Sequence, residues 1–137
     1  MNIAVRYYTR SGNTEKLAMA IAQALGVQAE SVTAPLEKKT DVLFLGCSYY
    51  AFDVDDAVKN FIFESKENIG QIVCFGTSAM MKSTHKPMKK VCDAAGVRLS
   101  DLEFHCRGSF GPMHKGHPDE QDLTNAAVFA KMVVNQK

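Results

Sequence analysis

The chain has 137 residues, 46% of them hydrophobic and 23% charged, and its 16 Lys+Arg against 15 Asp+Glu leave a formal charge of +1. Near-neutrality excludes nucleic-acid binding driven by a basic field, and the apolar fraction excludes a disordered charged tail. The length suits a single domain over residues 1–137, with a core that needs no disulfide staples.

No apolar run reaches the ~18–20 residues of a membrane span. Met1-Asn2-Ile3-Ala4-Val5-Arg6 has neither a basic leader nor an apolar h-region, so the expected location is the cytoplasm. Cys47, Cys74, Cys92 and Cys106 are scattered, without CxxC or metal-ligand spacing. They read as buried free thiols.

Ile3-Ala4-Val5-Arg6-Tyr7-Tyr8 is a short apolar strand that empties into Thr9-Arg10-Ser11-Gly12-Asn13-Thr14. Leu17, Ala18, Ile21, Ala24 and Leu25 then recur at helical spacing, with Gly26 as the stop. A brief second strand fits Ala29–Val32, closed by Pro35. Asp41 to Cys47 is apolar enough for a strand covered on both faces. Val54, Ala57, Val58, Phe61 and Ile62 mark a second helix, and Gln71 to Gly76 a fourth strand. Pro87 fits the first turn of a helix whose stripe is Met88, Val91, Cys92 and Ala95, ended by Gly96. Leu102 to Cys106 is the fifth strand. Pro118 opens a last helix with Leu123, Ala126, Ala127, Ala130, Val133 and Val134 on one side.

Strands alternating with amphipathic helices predict an α/β fold: a doubly wound five-stranded parallel sheet with helices on both faces, in three layers. Ligands of such sheets sit beyond the carboxyl ends of the strands, at the topological switch point. There is no repeat or linker, and the one long loop is residues 107–118.

The segment Thr9 to Thr14 joins a buried strand to a helix N-terminus. Unpaired amides and the helix dipole favour an anion there, Gly12 permits a tight turn, and the hydroxyls of Thr9, Ser11 and Thr14 can donate to phosphate oxygens. The same residues also suit a hydroxyl-rich helix cap with no ligand.

Hydroxyls at Thr9, Ser11 and Thr14 with Gly12 between them resemble the phosphate loop of the flavodoxins. Gly116-His117-Pro118-Asp119, then Asp122-Leu123 and an alanine-rich helix, resemble the C-terminal end of many flavodoxin-like proteins. With the order of elements, the similarity spans essentially the whole chain. It implies FMN, the phosphate held by Thr9, Arg10, Ser11, Gly12, Asn13 and Thr14. The ring would lie between Ser48, Tyr49, Tyr50, Ala51 and Phe52 on one side and Gly76, Thr77, Ser78 and Ala79 on the other. Met80 and Met81 could add an apolar wall, or plug the core. The aromatic rings could cover a flavin or pack into the domain.

Two features depart from that family. Residues 48–56 contain no Gly, where flavodoxins usually have one whose peptide flips toward the reduced ring, so the one-electron-reduced flavin should be less stabilised here. The chain is nearly neutral rather than strongly acidic, and Arg10 lies in the first loop. A less negative potential and salt-tolerant partner docking follow.

Other constellations fail on context. Cys92 and Arg98 have the C-x5-R spacing of thiolate phosphatases, but Cys92 lies on a buried helix stripe. A receiver domain lacks its acidic residues at Tyr7-Tyr8-Thr9 and Cys47-Ser48, and no G-x-x-x-x-G-K-[ST] occurs. His114 and His117 are close but lack an acidic cluster, and Asp53, Asp55 and Asp56 begin a helix. The resemblance thus implies an FMN-binding electron-transfer protein serving redox partner proteins, a carrier more than an enzyme with its own substrate. It names no catalytic or metal residue. The alternatives are a small FMN-dependent NAD(P)H reductase and an apo scaffold that binds another protein through residues 48–52 and 107–118.

Overall fold

The computed structural model describes residues 1–8, 12–47, 54–77, 85–106 and 118–135. In chain order these form β1 (Ile3–Tyr8), α1 (Asn13–Leu25), β2 (Ala29–Ser31), β3 (Thr40–Cys47), α2 (Asp56–Ser65), β4 (Ile69–Thr77), α3 (His85–Ala95), β5 (Leu99–Cys106) and α4 (Glu120–Asn135). A 3₁₀ turn, Lys66–Asn68, joins α2 to β4. The strands make one parallel sheet in the order β2-β1-β3-β4-β5. No described helix is long and apolar enough to cross a membrane.

Successive strand residues point to opposite faces, so each strand feeds two cores. Val5, Val42, Phe44, Val73 and Phe75 pack with Leu17, Ala18 and Ile21 of α1 and Ala126, Ala130 and Val133 of α4. Leu43, Leu45, Ile72 and Cys74 pack with Val58, Phe61 and Ile62 of α2 and Met88, Val91 and Cys92 of α3. Helices on both faces give the three layers expected from the alternation of periods.

Element ends differ in informative ways. On α1, Ala22 is buried while Ala24 and Leu25 are only partly covered, because the stripe that meets the sheet centres on Leu17–Ile21. Gly26 is left-handed at φ 72°, and Gly96 at φ 75° ends α3. The fifth strand begins at Leu99 rather than Leu102. Between its pairings with Ile72 and Cys74, β5 runs from Leu99 to Glu103, so it is irregular there. The Leu102 amide donates to Ser100 Oγ at 3.1 Å, which accommodates polar residues that hide the strand from an apolar pattern. Pro118 does not open the last helix. Asp119 and Asp122 exchange amide-to-carboxylate bonds of 2.9 Å each, so Asp119 caps a helix that starts at Glu120.

The crossover from β2 to β3 has no helix. Residues 32–39 form a strap instead, and Arg6 of β1 fastens it. Arg6 is 8% exposed. Its guanidinium donates to the carbonyls of Ala34 (3.1 Å), Pro35 (3.4 Å) and Val5 (3.1 Å). It also pairs at 3.3 Å with Glu30, its register neighbour on β2. A buried guanidinium is tolerable because its donors are satisfied in this way.

Candidate functional site

The strand order reverses between β1 and β3, whose last register pair is Tyr8 with Cys47. Gly12 precedes α1 and Asn13 and Thr14 begin it, while Gly76 and Thr77 end β4, the strand beyond β3. Thr9, Arg10, Ser11, Ser48, Tyr49, Tyr50, Ala51, Phe52, Ser78 and Ala79 lie outside the described residues. So do Met80, Met81, Asp53, His114, His117 and all of 107–117. Gly12, Asn13, Thr14, Gly76 and Thr77 lie within them.

Gly12 precedes α1 at φ 88°, ψ −5°, a left-handed conformation that an L side chain adopts only with strain. A Cβ there would meet nothing within 4 Å, so the demand for glycine comes from the backbone and not from crowding. The Lys16 amide donates to the Gly12 carbonyl at 3.3 Å, starting the helical ladder. Asn13 and Thr14 follow, both buried although polar.

Thr14 is 0% exposed and Thr77, the last residue of β4, is 3% exposed. Their hydroxyl oxygens lie 3.3 Å apart and share a hydrogen bond. This contact joins the first and third predicted segments at the carboxyl end of the sheet. Glycine makes it possible. A Cβ on Gly46 of β3 would stand 2.3 Å from Cε2 of Phe75 and 2.9 Å from Cγ2 of Thr14. Gly46 pairs in register with Phe75, so the ring lies across the space its neighbour leaves, and Thr14 settles against both. A lone Gly inside Leu43-Phe44-Leu45-Gly46-Cys47 was the sequence signal for such an approach.

Sequence reasoning also passed over Tyr7 and Glu15. The Tyr7 hydroxyl donates to Glu15 Oε2 at 3.0 Å, tying the strand before the loop to the first turn of the helix after it. Burial, then the bond and negative charge of Glu15, push the phenol above its ordinary range. Nothing in the periodicity marks this pair.

Of the three cysteines whose side chains are described, two are buried thiols. Cys74 and Cys92 are buried, and Cys106 is half-buried. Burial and the Asp93 carboxylate push the Cys92 thiol up to about 11, against the partial relief of Lys89. Burial, Asp122 and Asp119 push that of Cys106 up to about 12. A phosphatase nucleophile needs the opposite shift. Among the described residues no cluster of three or more His, Cys, Asp or Glu could hold a metal.

The architecture has close counterparts. Over 99% of its length this chain superposes on an archaeal flavodoxin, 98% of which it covers, with a TM-score of 0.72 and 18% identity. The fold is flavodoxin-like. Flavodoxin 2 of Bacillus cereus matches over the full length of both chains, with a TM-score of 0.69 and 18% identity. A flavoprotein of Lactobacillus acidophilus, solved in complex with FMN, shares the flavodoxin-like fold over 77% of this chain and 92% of its own, with a TM-score of 0.58 and 16% identity. An uncharacterised protein of Methanocaldococcus jannaschii is 26% identical over 89% of this chain and 90% of its own. No protein-family profile matches the chain.

Proposed function

We propose that this chain binds FMN as a single flavodoxin-like unit, residues 1–137, and passes electrons to and from redox partner proteins in the cytoplasm. The observation that carries the reading is the Thr14–Thr77 contact. It draws the N-terminus of α1 against the end of β4, beside the switch point of a flavodoxin-like sheet. A left-handed Gly12 and buried hydroxyls suit a phosphate at a helix start. Thr9, Arg10, Ser11, Gly12, Asn13 and Thr14 hold the phosphate, Ser48 to Phe52 cover one side of the ring, and Gly76 to Ala79 line the other. Bound FMN supplies the redox chemistry. The chain's own residues bind it, orient it and set the charge around it.

Titration of the apo-protein with FMN and with riboflavin tests this. FMN should bind the tighter of the two. Ser11→Ala and Thr14→Ala should each weaken FMN by ~1.5–3 kcal/mol, the worth of a hydrogen bond to a charged group. Equal affinity for both flavins, or none for either, overturns the reading.

A further inference from the structure

Glu15 is the third residue after Gly12, the residue that precedes α1. A glutamate at this position ordinarily reaches back to the amide of the cap residue and closes the first turn on itself. Here its carboxylate accepts the Tyr7 hydroxyl instead, at 3.0 Å. Tyr7 belongs to β1 and packs on the α1/α4 side of the sheet. The carboxylate is therefore tied to β1 by this bond. An anion in the first turn interacts with the same helix dipole that a bound phosphate would use. Two negative groups sharing one turn also oppose each other.

Resting on the FMN reading above, we propose that Tyr7 is a positioning residue for the phosphate site. Its hydroxyl holds the Glu15 carboxylate so that this side chain does not compete with the ligand's negative charge in the first turn of α1. The displaced phenol titration supports this, because Tyr7 stays protonated, and so a donor, throughout the neutral range.

The test compares FMN with riboflavin, which has the same ring and no phosphate, on apo-protein carrying Tyr7→Phe, Glu15→Ala or both. Tyr7→Phe should weaken FMN about five- to tenfold and leave riboflavin unchanged, since it keeps the ring and removes one hydrogen bond. Adding Glu15→Ala should restore FMN affinity, because the internal competitor is gone. Glu15→Ala alone should bind FMN as well as the parent or better, which gives a readout should Tyr7→Phe fold poorly. The inference is overturned if Tyr7→Phe leaves FMN unaffected, if it weakens both flavins alike, if the double variant stays weak, or if Glu15→Ala alone weakens FMN. Should the unaltered protein not prefer FMN over riboflavin, the functional reading itself falls, a result distinct from any of these.

Discussion

Thr14 and Thr77 stand 63 residues apart in sequence, yet their hydroxyl oxygens are 3.3 Å apart in a buried position. One lies in the first turn of α1 and the other ends β4, with β3 between β1 and β4 in the sheet. Replacing Thr77 with Val keeps the shape and removes the bond. It should cost about 1 kcal/mol of stability, measured by urea unfolding, and weaken FMN. A Thr14→Val, Thr77→Val cycle should show coupling, since each single change leaves the other hydroxyl without this partner.

Gly46 sets the floor beneath that contact. An added methyl meets the Phe75 ring at 2.3 Å and Thr14 at 2.9 Å, and both residues are fully buried. Gly46→Ala should therefore destabilise by about 1–3 kcal/mol, the cost of overpacking a dense core. The displacement reaches Thr14, so FMN affinity should fall as well. Thermal unfolding and flavin titration of one preparation check both effects.

Arg6 holds the strap over residues 32–39 through bonds to Ala34 and Pro35 and a 3.3 Å pair with Glu30. Arg6→Leu removes donors from the part-buried carbonyls of Ala34 and Pro35 and from the buried one of Val5, and should cost on the order of 2–3 kcal/mol. Amide exchange should rise in the strap before it rises in β3.

Alkaline pH should unfold the protein through its thiols. Cys92 titrates from 9.0 up to about 11 on folding, and Cys106 from 9.0 up to about 12. Their contribution is fully present below pH 9. Above it the unfolded chain gives up protons that the folded chain retains, so stability declines as the pH climbs toward those folded values. Denaturant midpoints at pH 8 and pH 10 should show the decline, and Cys92→Ala should make it shallower.

The alternation of apolar strand runs with helix-spaced stripes was enough to specify the layers. The helix stops were equally plain, because Gly26 and Gly96 are backbone demands that a sequence states directly. Val5, Phe44 and Leu45 had no other place to go than the two cores. Gly12 was legible for the same reason, as a left-handed backbone demand between strand and helix. What stayed hidden were relations between distant positions. Arg6 in a strand looks like an error of pattern until Glu30 and the strap surround it. Tyr7, Glu15 and Thr77 carry no local signature of partnership. Strand pairing brings Gly46 beside Phe75, and helix packing lays Thr14 over them. Local propensity and hydrophobic period act within a few residues, and they settled the elements. Side chains that meet across the sheet do so only after the strands have taken their register, and that step brought Thr14, Gly46, Phe75 and Thr77 together.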